Sequence, residues 1–67
     1  MRLTLVGGSC PERRDCPTVY ATDRGTFVVQ GYRLNVAELA QLDLAEDETV
    51  VEIPAAVLEE AVSAYRS

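Results

Sequence analysis

Two runs rich in β-branched and aromatic residues, Thr18-Val19-Tyr20-Ala21-Thr22 and Thr26-Phe27-Val28-Val29-Gln30, are separated by Asp23-Arg24-Gly25. No other feature of the sequence constrains the fold as much. Such runs favour the pleated strand. A short connection of this length takes a type I turn followed by a left-handed residue, a conformation Gly25 adopts at no steric cost. The spacing predicts a β-hairpin with Arg24 at its tip. The second strand can run on to Leu34, with Gly31 marking a bulge, a bend or a close backbone approach. Two strands alone are marginal in water, so the rest of the chain has to brace them.

The flanking sequence supplies candidates. Arg2-Leu3-Thr4-Leu5-Val6 alternates as a short strand and stops at Gly7-Gly8. Asn35 followed three residues later by Glu38 has the form of a capping box. It predicts a helix of about two turns, with Val36, Leu39 and Ala40 on one face, ending near Asp43. Ala45 to Thr49 reads as an acidic turn and Val50-Val51-Glu52-Ile53 as a strand. Pro54 ends that strand and suits the first turn of a second helix. There Val57, Leu58, Ala61, Val62 and Tyr65 form an apolar stripe, with Glu59, Glu60 and Ser63 facing out.

The expected fold is α+β: a small three- to four-stranded, mostly antiparallel sheet, with a short helix and a C-terminal helix packed on one face. The 67 residues make a single domain, 1–67, with a Cys/Pro/Arg loop at 9–17. A core this small is marginal, and a disulfide, a homodimer or another partner would add to it.

Charge is unevenly placed. Residues 1–33 carry five Arg against three acids, and residues 34–67 one Arg against eight acids, for a net charge of −5. An acidic field repels phosphate, which argues against nucleic acid as a partner and suits a protein with a basic surface. Met1 to Val6 is too short for the apolar core of a signal peptide. No apolar run reaches the roughly 18 residues of a membrane span. The expectation is a cytoplasmic protein with no membrane association.

Candidate chemistry is sparse. Cys10 and Cys16 each precede a proline and leave several readings open: free thiols, a disulfide, a metal site shared between two copies, or redox chemistry. A disulfide would close a short loop, whereas cytoplasmic thiols are normally reduced. With no His in the chain, two cysteines fall short of the four ligands of structural zinc. Without His or Lys, Ser and Cys have no base to activate them and Schiff-base chemistry is closed. Paired carboxylates would need a cleft that a chain of this length can hardly build. The expectation is therefore no enzyme, no catalytic residue, no cofactor and no metal. Gly7-Gly8-Ser9 lacks the rest of a phosphate-binding loop. Arg24, with Tyr20 and Tyr32 on the flanking strands, is a candidate recognition patch, because Arg and Tyr are enriched at binding hot spots. Arg13 and Arg14 in the Cys loop extend the candidate interaction set.

The stretch from Cys16 through the hairpin to Tyr32, followed by Val50-Val51-Glu52-Ile53-Pro54, resembles a group of very short acidic proteins of actinobacteria. The Lys-free, Ala- and Val-rich composition accords with high-GC coding. Members of that group tend to be encoded near helix-turn-helix regulators, so the resemblance implies an accessory role in regulation. It carries no catalytic residue over. Leu42 to Ile53 is similar in rhythm to the turn–strand element of swapped-hairpin, AbrB-like regulators and antitoxins. The Gly of that turn and the preceding basic strand are missing here. The sequence thus points to a non-enzymatic protein-interaction module, accessory to a transcriptional regulator. The alternative is a small DNA-binding or antitoxin-like dimer that gathers Arg2, Arg13, Arg14, Arg24 and Arg33 on one face.

Overall fold

The computed structural model describes residues 1–8 and 16–66. Three strands, β1 (Leu3–Gly7), β2 (Thr18–Thr22) and β3 (Phe27–Gln30), are followed by α1 (Val36–Leu39) and α2 (Ala55–Arg66). The sheet is antiparallel with β2 in the centre, in the order β1-β2-β3. One helix packs on it, which makes the α+β architecture expected from the sequence.

The hairpin forms as the turn chemistry dictates. Gly25 takes φ +77°, the left-handed conformation the loop requires. Thr22 N–H donates to the Thr26 carbonyl at 2.9 Å. The Thr22 hydroxyl accepts from the amides of Arg24 and Thr26, tying the loop a second time.

The register sorts the side chains into two faces. Val19 pairs with Val29 and Ala21 with Phe27, while Tyr20 pairs with Leu5 and Val28. Side chains alternate along a strand. Val19, Ala21, Phe27 and Val29 therefore share one face, and Leu3, Leu5, Tyr20 and Val28 the other. Between Leu5 and Gly7 the register shifts, leaving Val6 as the extra residue of a β-bulge. The bulge turns Gly7 onto the Val19 face, under α2. A Cβ on Gly7 would stand 2.7 Å from the Val57 carbonyl and 2.9 Å from Ala61 Cβ. The missing side chain is what lets helix and strand approach so closely.

The core sits at this crossing. Val19 and Ala61 are each only 2% exposed. Thr18, also buried, donates its hydroxyl to the Cys16 carbonyl at 3.0 Å. No buried side-chain polar atom among the described residues lacks a partner. At the far end of α2, Phe27 and Tyr65 meet edge to face, with centroids 4.9 Å apart.

Residues 31–54 differ from the expectation in two places. The strand expected at Val50 to Ile53 is reduced to a single antiparallel bridge between Tyr32 and Glu52, with the reciprocal amide bonds at 2.9 and 2.8 Å. Gly31 allows it: a Cβ there would lie 2.6 Å from the Glu52 carbonyl. That is the close backbone approach its position suggested. The capping box forms in full, with Glu38 N–H to Asn35 Oδ1 at 2.8 Å and Asn35 N–H to Glu38 Oε1 at 2.9 Å. The helix it starts is only four residues long, however, and buries none of them. Without a packed face, a good cap sustains little more than one turn.

Candidate functional site

The structure scatters the residues singled out in the sequence. Tyr20 lies mid-strand on the outer face of β2, half-buried between Leu5 and Val28. Arg24 is exposed at the hairpin tip. Tyr32 follows β3 and pairs with Glu52. Eight residues separate Arg24 from Tyr32 along the strand direction, a distance on the order of 20 Å. The two therefore stand at opposite ends of the sheet and do not form one patch.

The arginines divide in the same way. Arg2 precedes β1 at the tip end, because Leu3 pairs with Thr22; Arg33 lies at the other end. Arg13 and Arg14 lie outside the described residues.

Cys16 is disulfide-bonded. The chain's other cysteine, Cys10, lies outside the described residues. Among the described residues no group of three or more His, Cys, Asp or Glu is placed to hold a metal ion. Nor is any helix there long and apolar enough to cross a membrane. Gly8 N–H, which a phosphate would need, donates instead to Glu60 Oε1 at 2.6 Å. Glu60 thus reaches back to the end of β1, where the sequence alone had it facing away from the sheet.

The feature that sequence reasoning missed is an apolar groove. Helix α2 packs mainly over β1 and β2 and reaches β3 at the Phe27–Tyr65 ring pair. A helix about 10 Å across covers roughly two strands spaced about 4.8 Å apart, so one helix leaves the third strand open. Phe27 and Val29 of β3 are consequently half-exposed, and so are Leu58, Val62 and Tyr65 along the facing flank of α2. Between them lies a cavity of about 130 Å³ lined only by Val19, Phe27, Val29, Leu58, Ala61 and Val62. On the other side of Leu58 and Val62, a shallow hollow runs along α2 past Glu59, Ser63 and Arg66. The signal was present in the sequence: a five-residue stripe on a single long helix is wider than one helix–sheet contact can bury.

The acids of the second half, from Glu38 to Glu60, are all exposed. No protein-family model matches the chain, and no curated protein or solved structure matches it either.

Proposed function

We propose that the protein is a non-enzymatic interaction module that binds another protein through surface left uncovered by its own fold. One observation carries this reading. The accessible surface is 5617 Å², whereas a compact monomer of 7.3 kDa would expose about 4,200 Å². The excess, about 1,400 Å², is larger than the roughly 800 Å² that one partner contributes to a standard protein–protein interface. Among the described residues, half-exposed Leu, Val, Phe and Tyr side chains stand on that surface.

The exposed acidic half complements a partner with a basic surface. A DNA-binding regulator has such a surface, and the resemblance noted above supports an accessory role beside one. The protein would act in the cytoplasm in that case, and its disulfide would form there only under oxidising conditions.

The test is affinity capture from the native host at about 50 mM and about 500 mM salt. A stoichiometric partner retained at the lower salt and weakened at the higher supports an acidic docking surface. No retained protein at either salt overturns the reading.

A further inference from the structure

We infer that the free edge of β3 takes an extended strand of another protein, one that presents large apolar side chains at alternate positions toward α2. The inference rests on the interaction reading above and deepens it, naming the site and the form of the partner's chain.

The backbone calls for an extended occupant. Strand β3 is an edge of the sheet. The Thr22 amide donates to the Thr26 carbonyl. Bonded pairs then recur every second residue, at Tyr20–Val28 and Thr18–Gln30. The residues between them, Phe27 and Val29, turn their N–H and C=O groups away from β2. No described strand pairs with that edge. The result is a row of donors and acceptors at strand spacing. A helix bonds its own backbone groups internally and does not satisfy such a row, whereas an added strand does.

The side chains set the partner's chemistry. Phe27 and Val29 also face the α2 side, where they are 45% and 40% exposed. A residue paired opposite either of them points its side chain to that same face. There the 130 Å³ apolar cavity opens, with Leu58 and Val62 as its wall. The Tyr65 ring closes the tip end against Phe27. Alternate apolar residues in the partner would therefore reach the groove, and the residue between them would face out beside Val28. The net charge of −5 favours a strand flanked by Lys or Arg.

The two edges of the sheet are not equivalent. Strand β1 is interrupted by its bulge at Val6 and preceded by Arg2, both of which discourage pairing. Its outward residues, Leu3 and Leu5, face the side that carries no helix. Phe27-Val28-Val29-Gln30 has no charge and no proline, and its register with β2 is unbroken.

The chain does not supply this strand itself. Residues 9–15 hold no Leu, Ile, Val, Phe, Met or Tyr. A second copy pairing through its own β3 would leave both grooves open. Its α2 lies over its own β1 and β2, so the two helices would stand about 19 Å apart, roughly twice the spacing of packed helices. Two chains of net charge −5 also repel.

Amide exchange on the full chain tests the proposal. The probe is a synthetic peptide in which leucine alternates with threonine between terminal lysines, added up to about 1 mM. The amides of Phe27 and Val29 should slow at least about fivefold on binding. A peptide of the same composition with its leucines adjacent should bind at least about tenfold more weakly. A strand bonds a neighbour through alternate residues. Backbone N-methylation of one alternate set, leucines or threonines, should thus abolish binding, and methylation of the other should leave it nearly unchanged. Val29→Pro removes an outward N–H and spares the ladder to β2, a placement an edge strand tolerates; it should abolish binding. Leu58→Glu, on the half-exposed wall, should weaken binding at least about tenfold with exchange in β2 unchanged. It keeps the test decisive should the proline variant fail to fold.

Unaltered exchange at Phe27 and Val29 at the highest peptide concentration overturns the proposal. So does an equal effect of both methylation patterns. A wild-type dimer in the ultracentrifuge that Val29→Pro dissolves would make a second copy the occupant and overturn it too. A host partner still captured by Val29→Pro and Leu58→Glu removes this inference alone. A bound peptide with an empty capture counts against the interaction reading and leaves the edge site standing.

Discussion

The molecule contains two regions of nearly equal sequence quality and unequal structural consequence. Strands β1 to β3 with α2 form a layer held by long-range pairing, a bulge and a close helix–strand crossing. Residues 31–54 carry equally good local signals: a complete capping box, an acidic turn and a strand-like Val-Val-Glu-Ile. Yet within that segment the hydrogen bonds are nearly all local, and α1 buries no residue, Val36 being 84% exposed. Local propensity starts an element; burial of a face extends it. The hairpin and α2 had a face to bury, whereas the Asn35 helix and the Val50 strand had a few half-buried neighbours, Leu34, Val50 and Ile53.

The sharpest way to break this contrast is at the crossing itself. Gly7→Ala would push a methyl group against the Val57 carbonyl and Ala61 Cβ. Backbone on one side and a buried Ala on the other leave little room to yield. The expected cost is about 2–3 kcal/mol, read as a lower midpoint in urea unfolding. An unchanged midpoint would mean that the β1–α2 approach does not hold the layer together.

The disulfide tests the same layer from its other end. Cys16 lies just before β2, and its carbonyl receives the Thr18 hydroxyl. If the bond is intrachain, it closes the short loop to Cys10. Cys16→Ser, or reduction, should then cost about 2 kcal/mol on the chain-entropy account. For a domain of this size that lowers the melting temperature by about 10 °C. Alkylation followed by mass measurement, with and without reductant, establishes how many thiols were free before the melt.

What was legible in the sequence follows the same line. The hairpin could be read because its turn requires a left-handed residue and Gly25 is the one present. The α2 boundaries could be read because Pro54 and the stripe from Val57 to Tyr65 are properties of contiguous residues. The bulge at Val6 was not legible, since it depends on how β1 registers against β2. Nor was the separation of Arg24 from Tyr32, because adjacency on a hairpin drawn in sequence ignores strand length. The groove was half-legible: the stripe was visible, but which part of it the sheet would cover was set by the position of α2 over β1 and β2. The Val50 strand failed for want of a partner, since Tyr32 gave it a single bridge.

The smallest expected effect sharpens the comparison most. Asn35→Ala removes the acceptor for Glu38 N–H, a change that costs about 1 kcal/mol where a helix is integral to a fold. Here the lost bond belongs to one turn with no buried face. The two regions should therefore respond separately. Amide exchange should accelerate severalfold at Glu38, Leu39 and Ala40. The last two donate to the carbonyls of Asn35 and Val36. Exchange at Val19, Tyr20 and Ala21 in the central strand should stay as slow as before, and the urea midpoint should move by less than about 0.3 kcal/mol. Should the central-strand amides speed up in step with those of α1, the two regions open as one cooperative unit. The segment 31–54 would then be bracing the sheet through the Tyr32–Glu52 bridge, and the contrast drawn from burial would have to give way.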